Sequence, residues 1–383
     1  MRGRWVVMLL LAVAAPAVAA DPLLEQVDVY KSGEDGYEIY RIPGIETAPD
    51  GTLLAFAEAR KYGGADPGFG KQDIDLVLKR SNDGGKTWSE MTIVEDPGEH
   101  WSAANPATVV DRDTGKVWVL YLRSKPGRST ITSRPGTDDM QTQARWSADN
   151  GATWSEPFDL TAVARDMNDE TWKASVVGPG GAIQAQNGRL LAPIWKSPYN
   201  VFAIYSEDHG KTWHRGQCAP GGDRGDEDQL VELSDGRILM DMRQSGGGTR
   251  WRTTSSDGGQ TWSEPFAGEA VTPCACAIER LTLKSAGDDR DRILWTGPKG
   301  PGRNTLMARL SYDEGKTFPV ERIISAEPAA YSDLAMLKDG TVGCLWERAN
   351  YRFITFTRFN LAFLEPKGPP AEPTAELKVL EER

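Results

Sequence analysis

Three arginines, one tyrosine and a set of carboxylates are the residues in this chain whose types and places could do chemistry together. They are Arg41, Arg243 and Arg303, Tyr331, and Glu58, Asp66, Glu227 and Glu347, with Arg60 close by. Guanidinium groups grip a carboxylate through paired, charge-assisted hydrogen bonds, so three of them converging suit a small anionic ligand. Carboxylates beside such a grip could carry protons to and from a reacting oxygen. Taken singly, each residue reads as an ordinary surface charge or a strand-edge ion pair. What makes them a candidate site is that the strands carrying them are expected to present them at one end of the molecule.

That expectation rests on a repeat. The pattern S-x-D-x-G-x-T-[WF] occurs at Ser81–Trp88, Ser147–Trp154, Ser206–Trp213, Ser255–Trp262 and Ser311–Phe318. Five copies spaced by roughly 50 to 65 residues are what packed four-stranded blades leave in a sequence. Each octet suits a tight hairpin. Asp accepts from backbone N–H groups just ahead of it, Gly takes a left-handed conformation, and the aromatic residue packs between neighbouring sheets. A second turn signal precedes each box, at Asp50-Gly51, Thr114-Gly115, Asn187-Gly188, Asp235-Gly236 and, degenerate, Asp291-Arg292; a sixth, Asp339-Gly340, has no box after it. Six first hairpins and five boxes predict an all-β fold, a six-bladed β-propeller spanning residues 21–365. Its blades start near Tyr40, Asn105, Val176, Gln229, Ile278 and Tyr331, and strand Leu24–Lys31 returns to complete the sixth.

In an up-and-down blade the first and third hairpin turns share one end. All the boxes and D-G turns therefore lie on one face. The entry of strand 1, the exit of strand 2 and the 2–3 loops lie on the other. There the chain places Arg41 and Tyr331 (strand 1), Glu58, Arg60, Arg243 and Glu347 (strand 2 ends), Glu227 (strand 1 entry), and Asp66 and Arg303 (loops).

The remaining features bound the function. Residues 1–20 carry Arg2 and Arg4, an apolar run Trp5–Ala15 and small residues Ala17–Ala20, which reads as a secretory signal peptide and predicts a secreted or periplasmic protein. No later stretch is apolar enough to span a bilayer. The net charge of −11 argues against nucleic acid as a partner. The four cysteines Cys218, Cys274, Cys276 and Cys344 would be free to form disulfides after export, with Cys218 to Cys274 or Cys276 a plausible pairing. Their spacing and the three histidines do not suit zinc. The tail 366–383, rich in Pro, Glu and Lys, is expected to be disordered.

Tyr40-Arg41-Ile42-Pro43, Phe56-Ala57-Glu58-Ala59-Arg60, five Asp boxes, Glu227-Asp228-Gln229-Leu230 and Tyr331-Ser332-Asp333-Leu334, in that order, resemble the exo-α-sialidases (neuraminidases) of the bacterial and animal type. The resemblance covers about Val27 to Leu364. It implies hydrolysis, with retention, of terminal α-linked sialic acids on glycoconjugates, without a cofactor or metal. Arg41, Arg243 and Arg303 match the family's arginine triad for the sugar's carboxylate. Tyr331 matches its nucleophile, Glu227 the carboxylate that takes the phenolic proton, and Asp66 the acid/base, with Asp73 and Asp75 as rivals. Glu347 matches a carboxylate that orients a triad arginine, and Glu58 and Arg60 are expected at the rim. The loop Asp66–Asp73 is longer than the family's usual form. Gly181-Ala182 offers no polar side chain, and Trp195 stands where some relatives have tyrosines. The alternatives are a non-catalytic sialoglycan lectin, a trans-sialidase, or a glycosidase for a related 2-keto sugar acid.

Overall fold

The computed structural model describes residues 20–366. The signal peptide expected over 1–20 and the tail expected over 366–383 lie, but for one residue each, outside the described residues. The chain is all-β, built of six antiparallel units in sequence. Unit one holds Ile39–Thr47, Leu53–Arg60, Ile74–Ser81 and Thr92–Glu95, and unit two Ser102–Asp111, Lys116–Ser124, Met140–Ser147 and Phe158–Asp159. Unit three holds a first strand broken into Ala174–Val177 and Ile183–Gln184, then Leu190–Ser197, Asn200–Ser206 and His214–Arg215. Unit four runs Gly225–Glu232, Ile238–Gln244, Thr249–Ser255 and Phe266–Ala270. The long strand Val320–Met336 ends unit five, after Ala277–Thr282, Arg292–Pro298 and Asn304–Ser311, and begins unit six, before Val342–Arg348 and Phe353–Phe359. Leu24–Lys31 pairs antiparallel with Phe353–Phe359, Leu24 opposite Phe359, and supplies the sixth unit's fourth strand.

First strands of successive units touch one another. Ile39–Thr47 meets Ser102–Asp111, which meets Ala174–Val177; Ile183–Gln184 meets Gly225–Glu232, then come Ala277–Thr282 and Val320–Met336, and the last returns to Ile39–Thr47. Two motif side chains tie this inner layer. Gln229 donates to Pro179 O (3.1 Å) and to Asp333 Oδ1 (2.9 Å) and accepts from Ile278 N (3.1 Å), while Asp333 Oδ2 accepts from Ile45 N (2.8 Å). Units three, four, five, six and one are thus linked by two side chains. Buried polar groups need such partners, because each one left unpaired costs about 1–3 kcal/mol. Gly180 and Gly181 lack side chains for a spatial reason: a Cβ on either would lie 2.3 Å from Gln229.

The five boxes close as their chemistry dictates. In the fourth, Asp257 Oδ1 accepts from Gln260 N (3.0 Å) and Thr261 N (2.9 Å), Oδ2 accepts from Thr261 Oγ1 (2.6 Å), and Ser255 Oγ accepts from Gly259 N (2.8 Å). Each box then locks onto the preceding unit. Trp88 packs edge-on to Phe356 of unit six (5.4 Å), Trp154 on Phe56 of unit one (5.7 Å) and Trp213 on Trp118 of unit two (6.1 Å). Boxes and first hairpins share a face, since Ser234 N beside one turn donates to Glu314 in a box (2.7 Å), and Arg189 beside another donates to Asp257 O (2.9 Å).

All four cysteines are free. The pairing of Cys218 with Cys274 or Cys276 is not present: Cys218 packs with the cluster around Trp172, and the other two with Trp295 and Tyr331. Among the described residues no helix is long and apolar enough to cross a membrane.

Candidate active site

Four inner strands carry a β-bulge at the face away from the boxes. The register slips between Arg41 and Gly44, Ala104 and Ala107, Gly225 and Asp228, and Ala329 and Ser332. Bulges re-aim side chains out of the pleat, and these four hold Arg41-Ile42, Asn105, Asp226-Glu227 and Tyr331. Ile42 (φ 53°) and Asn105 (φ 55°) are left-handed. For a β-branched residue this costs about 1–3 kcal/mol and persists only where the surroundings enforce it. Here Glu347 enforces it: its Oε1 accepts from Ile42 N (2.9 Å) and from Arg41 Nε (2.5 Å), and its Oε2 from Tyr331 N (3.1 Å).

The tyrosine and the three arginines meet. Tyr331 OH donates to Glu227 Oε1 (2.5 Å), and Arg243 Nη1 donates both to Glu227 Oε2 (2.7 Å) and to Tyr331 OH (3.0 Å). Arg303 Cζ lies 5.1 Å and Arg41 Cζ 5.5 Å from the Tyr331 ring centre. Burial, then the neighbouring Glu227, holds the Tyr331 hydroxyl well above its ordinary range, so it is a neutral phenol. Burial works against the charges of Arg41 and Arg243, but Glu347 and Glu227 respectively outweigh it and keep both guanidinium groups charged.

Asp66 borders a cavity of about 260 Å³, together with Arg60, Asn105, Trp195, Glu227, Arg243 and Tyr331; Arg303 lines a small recess with Glu347 and Tyr351. The Asp66 side chain is 68% exposed and accepts from Arg60 Nη1 (3.2 Å). Asp73 is buried and committed elsewhere, to Lys61 Nζ (2.8 Å) and His100 N (3.2 Å), and Asp75 is held by Tyr37 OH (2.5 Å). Glu58, expected at the rim, is instead fully buried beneath it. Its Oε2 holds Arg60 (2.6 Å) and its Oε1 accepts from Asn105 N (2.9 Å), so it fixes the residues that reach the cavity without reaching it itself.

Sequence reasoning missed Tyr351, beside the cavity, and Asp226, Tyr199, Phe69 and Ile131, which line it. Tyr351 stacks under Arg41 (4.2 Å) and accepts from Arg303 Nη1 (2.9 Å), presented by the left-handed turn Ala349-Asn350-Tyr351. It lies in a 2–3 loop, the position that singled out Asp66 and Arg303, and that signal could have found it. Asp226 was overlooked beside Glu227. Trp195 and Tyr199, stacked at 6.1 Å, line the cavity with Phe69 and Ile131.

The end that carries the boxes has larger cavities, of about 320 and 610 Å³, bordered by Glu46, Glu279 and, in the smaller, Asp333. Burial pushes these carboxyls up to about 8, 7 and 6. No tyrosine, histidine or cysteine lines them, so they hold no counterpart to the Tyr331–Glu227 pair. Among the described residues one group has metal-ligand spacing: Asp111, Asp113 and His209, within 4.8 Å of one another. It lies on the box face, and Gln184 Nε2 already donates to both carboxylates (3.2 and 3.1 Å).

The chain matches a family model described as a BNR repeat-like domain over residues 51–344. It is 31% identical to a sialidase of Micromonospora viridifaciens over 90% of its length and 55% of that protein's. It is 30% identical to a sialidase of Bacteroides fragilis over 84% of its length and 62% of that protein's. The chain therefore spans little more than half the length of these relatives. Among solved structures, a Hadza microbial sialidase superposes with a TM-score of 0.80 at 27% identity, covering 88% of this chain and 69% of that one.

Proposed function

Since the chain belongs to the sialidase family, we propose that it is an exo-α-sialidase that hydrolyses terminal α-linked sialic acids from glycoconjugates with retention. On this reading the six units are the blades of a six-bladed β-propeller, with the site at the axial end away from the boxes, and the protein is exported to act on sialylated glycans.

The observation that carries the proposal is the Tyr331–Glu227–Arg243 contact, ringed by Arg41 and Arg303. Arg41, Arg243 and Arg303 grip the carboxylate that sialic acid bears on its anomeric carbon. An ionised Asp or Glu would be repelled by that carboxylate on approach, whereas the neutral phenol of Tyr331 is not; sialidases, with a Tyr nucleophile, are among the exceptions to the two-carboxylate scheme. Glu227 takes the phenolic proton as Tyr331 Oη bonds to the anomeric carbon. The glycosidic C–O bond breaks as Asp66 delivers a proton to the leaving oxygen. Asp66 then takes a proton from water, whose oxygen displaces Tyr331, and Glu227 returns the phenolic proton. Glu347 orients Arg41, and Arg60 holds the Asp66 loop. A lectin would have no use for Tyr331, Glu227 and Asp66 in these places.

The test is turnover of a fluorogenic α-sialoside by the purified protein beside Tyr331→Phe, with the anomer first released read by NMR. The parent should release the α-anomer, and the variant should lose activity by orders of magnitude. Undiminished activity in Tyr331→Phe refutes the nucleophile. No turnover by the folded parent refutes the reaction.

A further inference from the structure

Asp226 is a carboxylate of the site that the mechanism does not use. It is buried on the cavity wall beside Glu227, in the same bulge. Its Oδ2 lies 3.6 Å from Arg243 Nε, within ion-pair reach but too far for a hydrogen bond. Arg243 Nε is itself buried and has no hydrogen-bond partner. Arg243 has committed only Nη1, to Glu227 and Tyr331; the rest of its donor fork is what an incoming carboxylate needs. Beyond Glu227, two carboxylates therefore have a claim on the rest of this guanidinium, Asp226 from the wall and the substrate from the cavity.

Resting on the sialidase reading, we propose that Asp226 is a positioning residue that competes with the substrate's carboxylate for Arg243, and that tight substrate binding requires it to be neutral. Its surroundings make the switch usable near neutrality. Burial and the adjacent Glu227 raise the Asp226 carboxyl to about 7, against the lowering effect of Arg243 and Arg250. Asp228, on the same strand, is buried, and burial raises it well above the carboxylate range, so it adds little charge. Tyr331 is a neutral phenol, and Arg60 and Asp66, which also line the cavity, are paired with each other. Below the midpoint Asp226 is neutral and leaves Arg243 to the substrate. Above it, a fixed negative charge neutralises Arg243 and repels the substrate anion.

If only the neutral form binds tightly, the apparent affinity falls with the neutral fraction, so KM should rise about tenfold between pH 6 and pH 8. In Asp226→Asn, KM should stay flat across that range while the pH dependence of kcat is unchanged. A merely structural Asp226 would instead lower activity equally at every pH, and an unaltered rise of KM in Asp226→Asn overturns the proposal. Should that variant not fold, calorimetry on the parent decides. Binding of a non-hydrolysed sialic acid analogue at pH 8, in two buffers of different ionisation enthalpy, should take up close to one proton, and no uptake refutes the competition. If the folded parent neither binds nor turns over any sialoside, the sialidase reading falls. Asp226 is then judged by infrared spectroscopy: a protonated carboxyl band titrating between pH 6 and 8 and missing from Asp226→Asn supports the switch, and its absence at pH 5 overturns it.

Discussion

Replacing Glu347 with Gln should loosen both the fold and the site. The Glu347 carboxylate is 1% exposed and accepts from Arg41 Nε, Ile42 N and Tyr331 N, which joins the bulges of units one and six where the first strands of those two units touch. The amide of Gln can satisfy at most part of this set, and its NH₂ would face donors. Arg41 is 7% exposed and would be left as a buried charge without its counter-ion. Removing one partner of a buried pair costs about 3–5 kcal/mol. With an unfolding entropy of about 2.1 cal/mol/K per residue over some 350 residues, each degree of Tm is worth about 0.7 kcal/mol. Calorimetry should therefore show a Tm about 4–7 °C lower, together with a higher KM as Arg41 loses its orientation. The companion Arg41→Met removes the stranded charge, so the double variant should recover at least about 2 kcal/mol relative to the sum of the single losses. A Tm within 1 °C of the parent, or a strictly additive cycle, refutes the idea that this pair pins the site.

Asp66→Asn should lower turnover of a sialyl-oligosaccharide by about 10²–10⁴-fold, and less for an aryl sialoside whose leaving group needs no proton. Asp73→Asn, away from the cavity, should lose far less in kcat, and the reverse order would exchange the two assignments. Gly85→Ala should cost about 2–4 kcal/mol, because the new methyl would lie 2.0 Å from the Phe356 ring at a φ of +88°. Gly236→Ala, at φ +83° with open space around it, should cost only about 1 kcal/mol, and equal melting shifts would refute the packing account. Hydrogen bonds from Thr153 and Thr212 hold the box carboxyls Asp149 and Asp208 down at about 2. Because these values lie below those of the unfolded chain, their contribution is present above about pH 4 and lost as pH falls through about 2. Thermal melts of Asp149→Asn should show a shallower loss between pH 4 and pH 2 than the parent.

How legible this protein is in its sequence follows from the range of the forces at each place. The boxes are closed by hydrogen bonds within eight residues, so their pattern announces them, and counting hairpins against boxes is enough to send Leu24–Lys31 to the sixth unit. Up-and-down connectivity then sorts Arg41, Glu227, Arg243, Arg303 and Tyr331 to one end, because strand direction alone fixes which end a residue occupies. Within that end the sequence has no further say. Whether Asp66 or Asp73 borders the cavity depends on the fold of a long loop, in which Lys61 and His100 claim Asp73. Glu58 alternates onto a face that the first strand of unit two covers, which makes it a support for Arg60 instead of a rim residue. Tyr351 reaches Arg41 across the contact between units six and one, which spans nearly the whole chain. Asp226 differs from any other aspartate only in what surrounds it, since the burial and the neighbouring charge that raise its carboxyl exist only once the strands have packed.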